Sequence, residues 1–116
     1  MAGMNALETA VMETFIARWP PYADALKGQL ALVTGVSRDY AGKVFGISFE
    51  LAPIDPFADV QSIPGGDQER LEGVSARVDG VANPVRYSLM FDVNGYISML
   101  EGFADGEDLR DRKSVV

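Results

Sequence analysis

The chain has 116 residues, 47% of them hydrophobic and 23% charged, with a net charge of -7. That is room for one globular domain and excludes wholesale disorder. Cysteine and histidine are both absent, which removes disulfides, thiolate metal sites, thiol nucleophiles and imidazole bases. The acidic balance also runs against a nucleic-acid or anionic-membrane surface.

No basic residue precedes Arg18, so nothing resembles the charged start of a secretory leader. No apolar run approaches the roughly eighteen residues that span a bilayer. The chain therefore reads as cytoplasmic, with no membrane partner.

The first element is a helix. Asn5 followed by Glu8 has the spacing of a capping box. Leu7, Val11, Phe15 and Trp19 then recur every four residues, widened by Ala10, Met12 and Ile16. This pattern predicts an amphipathic helix with Glu8, Glu13 and Arg18 facing water. Pro20-Pro21 ends it, because a proline pushes the preceding residue out of the helical region. Tyr22, Leu26 and Leu30 fit a second short helix.

The period then changes to two. Residues 31–39 and 43–51 flank the tetrad Asp39-Tyr40-Ala41-Gly42 and predict a hairpin turning on it. Phe45, Ile47, Phe49 and Leu51 should share one face. Residues 52–68 contain Pro53, Pro56, Pro64, Gly65 and Gly66, a composition that predicts a long loop. A third strand is expected around Val74, Ala76 and Val78, with a turn over residues 80–84. Val85, Tyr87, Leu89 and Phe91 alternate with Arg86, Ser88, Met90 and Asp92 as a fourth strand. Asn94-Gly95 favours a type I′ turn into a fifth strand over residues 96–101. Residues 105–116 are charged and expected to fray, leaving 1–104 as the domain. The fold class is thus α+β: one or two N-terminal helices on an antiparallel meander of about five strands.

The segments Arg38-Asp39-Tyr40-Ala41-Gly42, Asn94-Gly95, Leu100-Glu101-Gly102-Phe103 and Gly106-Glu107 together resemble a group of small bacterial α+β proteins. These carry an Arg-x-Tyr-x-Gly hairpin, a glycine turn and a Leu-Glu-Gly-aromatic segment followed by Gly-Glu. The resemblance runs from about residue 26 to 107. Such proteins have no agreed reaction, and some resemble immunity proteins that neutralise toxins. Where relatives continue with Trp-Pro, this chain has Asp108-Leu109.

Arg38, Tyr40 and Glu101 are the candidate binding residues. Arg38 and Glu101 would form either an exposed clamp or an ion pair pinning the first hairpin to the last strand, and the pair is favoured. Tyr40 would serve as an interface anchor or pack its ring at a turn, and packing is favoured. Asp39, Glu50, Asp92 and Glu101 are the acids available for a hydrolytic pair, although spacing in sequence supports no such pairing and Asp92 suits a turn. Asp105-Gly106-Glu107-Asp108 lacks the calcium-loop register, and the segment from Gly35 to Lys43 lacks phosphate-loop spacing. No catalytic residue, metal or cofactor is assigned.

Three functions remain. The first is a non-catalytic interaction module, immunity-like in character, whose acidic surface meets a protein with a basic surface. The second is a small-molecule-binding or weakly catalytic cup, with Phe45, Phe49, Tyr87 and Phe91 lining a cleft between helix and sheet. The third is a homodimer built on surplus apolar helix surface and unpaired sheet edges. The first is preferred.

Overall fold

A computed structural model describes residues 3–41, 44–53, 70–78, 83–92 and 94–104. The first helix, α1, spans Ala6–Arg18. Its capping box is reciprocal: the Asn5 side chain accepts the Glu8 N–H at 2.8 Å, and the Glu8 carboxylate accepts the Asn5 N–H at 3.0 Å. Val11, Met12 and Phe15 are buried while Leu7, Ile16 and Trp19 are partly so. Two expectations for this helix fail. Ala10 is exposed, and Glu8 is buried at 1% exposure although it was expected to face water.

Trp19 leaves the helix at φ -122°, ψ 70°, the excursion that Pro20 enforces. Pro20–Tyr22 form one 3-10 turn, and α2 follows over Ala23–Leu30 with Ala25, Leu26, Gln29 and Leu30 buried.

Five strands make one antiparallel sheet: β1 (Val33–Ala41), β2 (Val44–Leu51), β3 (Arg70–Ala76), β4 (Val85–Phe91) and β5 (Ile97–Phe103). Their order is β1-β2-β5-β4-β3. The α+β architecture expected from the alternating pattern is therefore present, with one departure from a sequential meander: β5, not β3, lies beside β2. The last strand occupies the centre, and both edges belong to earlier strands.

The helices cover one face. Its rows are Arg38-Ile47-Leu100-Leu89-Leu71 and Tyr40-Phe45-Gly102-Tyr87-Val74, read across paired strands. Ile47, Leu100, Leu89, Leu71, Phe45, Tyr87 and Val74 are all buried there against α1 and α2. The alternation expected for β2 and β4 thus holds, since Phe45 and Ile47 are buried and so is every second residue from Val85 to Phe91.

Turns were less accurately foreseen. Strand β1 runs through Ala41, which pairs with Val44, so Asp39 and Tyr40 belong to a strand and not to a turn. The stacking of Tyr40 on Phe45, with ring centroids 5.9 Å apart, favours this extension. At the second bend the Asp92 carboxylate accepts the N–H groups of Asn94 at 2.8 Å and Tyr96 at 3.1 Å, while Gly95 N–H bonds to Asp92 O at 3.0 Å. Of the central residues Asn94 and Gly95, Gly95 alone has positive φ, at 82°, so this is not the expected type I′ turn, which needs positive φ at both. Aspartate capture of the following amides sets the bend instead. Strand β3 begins four residues earlier than the Val74 start, and a bulge at Gly73 (φ 93°) interrupts its alternation. The expected loop lies mainly in residues 54–69, and the expected C-terminal tail and its acidic turn lie in 105–116. Both fall outside the described residues, as does most of the 80–84 turn.

Gln29 ties the second helix to that bend. Its Nε2 donates to Gly95 O at 3.0 Å, and its Oε1 accepts the Ile97 N–H at 2.7 Å. The side chain is fully buried, so its removal strands a backbone acceptor and a donor away from water. Gln29→Leu is expected to cost about 2–4 kcal/mol, read as a lowered urea midpoint. A loss below about 1 kcal/mol would mean water reaches both groups.

Candidate functional site

The sheet register separates the three candidate residues. Arg38 pairs with Ile47, which pairs with Leu100, so Arg38 shares the covered face with Leu100. Glu101, one residue further, points to the opposite face. Tyr40 lies on the covered face with Phe45. Arg38 and Tyr40 are thus neighbours, and Glu101 is not in their group.

Arg38 pairs with Glu8 and not with Glu101. Its Nε donates to Glu8 Oε2 at 2.9 Å and its Nη2 to Glu8 Oε1 at 2.5 Å, a bidentate fork. The same Nη2 donates to Gly3 O at 2.7 Å. With the capping bond from Asn5, both Glu8 oxygens are committed to donors inside the fold. The hydrogen bond to Glu8 pushes the Arg38 pKa above its ordinary value, burial opposes this, and the Glu8 charge adds to it. Tyr40 is also raised: burial leads, the Arg38 charge opposes, and the Glu8 charge assists. This group fastens the first turn of α1 to the edge strand. No local spacing announces it, because the partners lie thirty positions apart.

Tyr87 stands on the same covered face, 2% exposed. Among the described residues nothing hydrogen-bonds its hydroxyl. Burial first, and the Glu8 charge second, push its pKa far above 10. The sign follows from linkage: a phenol whose folded pKa exceeds its unfolded value contributes stability that is complete below the unfolded value, about 10, and is lost as pH rises above it. Stability should fall by roughly 1 kcal/mol per pH unit above about pH 10. Tyr87→Phe should flatten that slope and be neutral or slightly stabilising at pH 7. Urea titrations from pH 7 to 11 test this, and an unchanged alkaline slope would contradict it.

Glu101 belongs to the other face, over which no described element lies. Three rows cross it. The middle row is Asp39-Gly46-Glu101-Ser88, and it ends on Glu72, whose Oε1 lies 3.4 Å from Ser88 Oγ. One flanking row is Ser48-Met99-Met90-Arg70. The other is Val44-Phe103-Arg86-Ser75, with the Arg86 guanidinium 5.0 Å from the Phe103 ring centre. Arg70 lies 3.8 Å from Glu72 and contacts the Met90 sulfur at 3.0 Å. Over β3, β4 and β5 these side chains enclose a groove of about 430 Å³ lined by Arg70, Glu72, Ser88, Arg86, Glu101 and Phe103.

The alternation of β4 already placed Arg86, Ser88 and Met90 opposite the core. Glu72 and Arg70 were missed, because the Gly73 bulge hides the period of β3. Elsewhere Ile16, Lys27, Leu30 and Ala31 border a shallow apolar hollow of about 270 Å³. Phe45, Tyr87 and Phe91 are buried in the core. Among the described residues no cluster of three metal-ligating side chains occurs, and no helix is long and apolar enough to cross a membrane. No protein-family model, curated protein or solved structure matches the chain.

Proposed function

We propose that this protein is a non-catalytic interaction module that receives a basic surface of another protein on the open face of its sheet. The observation that carries the reading is the composition of that face. Methionine, phenylalanine and arginine, the residues that protein interfaces favour, flank a middle row whose only charges are Asp39, Glu101 and Glu72. Glu101 is partly buried and accepts no hydrogen bond among the described residues, so an incoming ammonium or guanidinium would complete it. The groove has the volume of a small-ligand pocket, but such pockets are lined mainly by apolar groups, whereas Arg70, Glu72, Arg86 and Glu101 border this one with charge. Residues 52–69 add Asp55, Asp59, Asp67 and Glu69 with no Lys or Arg, which strengthens long-range attraction for a cationic partner. Neutralising a toxin by covering it, as the resemblance to immunity-like proteins implies, is one use of such a surface.

Photo-crosslinking residues placed singly at Ser48, on the open face, and at Glu13, on the exposed side of α1, test the reading in native cells. Crosslinks to another protein should form from position 48 and not from 13. They should weaken as salt rises from 50 to about 500 mM and disappear with Glu101→Arg. Equal labelling from both positions, or none from 48, would overturn it.

A further inference from the structure

Resting on that reading of the open face, we infer that the partner element is an α-helix lying across the strands, with Lys or Arg at seven-residue intervals along one side. The three acids of the middle row stand on β1, β5 and β3, the first, third and fifth strands in sheet order. Strands lie about 4.8 Å apart, so the acids recur every ~10 Å. Seven residues of helix advance about 10.5 Å, a match that flexible Lys or Arg side chains accommodate over both intervals. Same-side residues of an extended segment recur every ~6.8 Å and fall out of step with Glu101 in the centre.

Composition across the face favours the same occupant. Between the acids the row carries only Gly46 and Ser88, and the Met99 side chain leans over Gly46. Met99 and Met90 stand on one side with Arg70 at the end of their row, and Val44 and Phe103 stand on the other with Arg86 beside them. Glu101 at the centre thus lies between apolar side chains, and the arginines stand toward β4 and β3. A helix seated there sets its basic stripe on the acids and its apolar flanks on the methionines and Phe103.

A second copy of this chain is a poor occupant. An in-plane two-fold axis through the sheet centre, along or across the strands, sets one acidic row on the other and Glu101 on its own counterpart. Like charges so placed are repulsive. A phosphate backbone meets the same repulsion.

Three synthetic helical peptides of equal length test the inference against the full chain, by fluorescence anisotropy at low salt. The first carries Lys or Arg at positions i, i+7 and i+14 with Leu and Met beside them. A second has the same composition with its basic residues spread around the helix, and the third replaces each basic residue of the first by Glu. The first should bind roughly tenfold tighter than the second, and the third should not bind. Glu101→Gln, with its fold confirmed by circular dichroism, should lower affinity for the first peptide by roughly tenfold, and Glu13→Gln should leave it unchanged. Equal binding of the first two peptides, no binding by the first, or indifference to Glu101→Gln would overturn the inference. If crosslinks from position 48 persist while the peptides fail, the helix is wrong and the interaction face stands. If those crosslinks are also absent, both fall.

Discussion

Glu8→Ala is expected to destabilise the protein by about 2–3 kcal/mol, because Glu8 accepts three hydrogen bonds inside the fold while the Arg38 side chain, 29% exposed, regains water. The substitution leaves the Arg38 guanidinium without the two acceptors it meets at 2.9 and 2.5 Å. It also removes the acceptor of the Asn5 N–H and so half the capping box. Arg38→Ala should be comparably damaging, because Glu8 at 1% exposure then keeps a buried charge with no cation. The double variant Glu8→Leu with Arg38→Leu separates these causes: it should be more stable than either truncation, since an apolar pair replaces an uncompensated charge. Urea unfolding of the four proteins measures all of this. A loss under about 1 kcal/mol for Glu8→Ala would show that solvent screens the pair.

Gly102→Ala should be the most harmful single-methyl addition in the sheet. Gly102 sits on the covered face of the central strand, and the Phe45 ring from β2 occupies the space beside its Cα. A β-carbon there would overlap the ring edge, and Phe45 is itself held between Tyr40, with centroids 5.9 Å apart, and the edge-on ring of Tyr87, also at 5.9 Å. Overpacking of this kind costs roughly 3 kcal/mol or more when neighbours cannot move. The clash predicts its own remedy: Phe45→Leu should restore part of the stability lost in Gly102→Ala while lowering that of the parent. Thermal unfolding of the two singles and the double tests the coupling, and simple additivity would contradict it.

These two positions show where the sequence was legible and where it was not. The capping pattern at Asn5 and Glu8 announced the start of α1 correctly, since that signal is local. The same Glu8 was misplaced toward water, because its burial depends on an arginine that only the tertiary fold brings near. Alternation along Val85–Phe91 and from Phe45 to Phe49 identified core faces, as a period of two must when one face is covered. Arg38, Tyr40 and Glu101 looked like companions because each borders a glycine-containing motif. Whether they meet depends on β2 pairing with β5, and no feature within either strand announces that pairing. Once it is known, the parity of the register puts Glu101 on the far side, where it joins Asp39 and Glu72. Glu72 itself was hidden by the bulge at Gly73.

The seam between β2 and β5 has a consequence for how the molecule is made. Val44 pairs with Phe103 and Ser48 with Met99, so two hairpin-like halves become one sheet only when the final strand arrives. During synthesis from the N-terminus, β1 and β2 can form early, yet the inner edge of β2 stays unsatisfied until β5 has been translated. Contacts of such sequence separation slow folding, and a nascent chain halted before Ile97 would display an open, apolar-faced edge ready to join another chain. The interval between the synthesis of β2 and that of β5 is therefore the period of greatest aggregation risk, and a chaperone that shields β2 over that interval would raise the yield of folded protein.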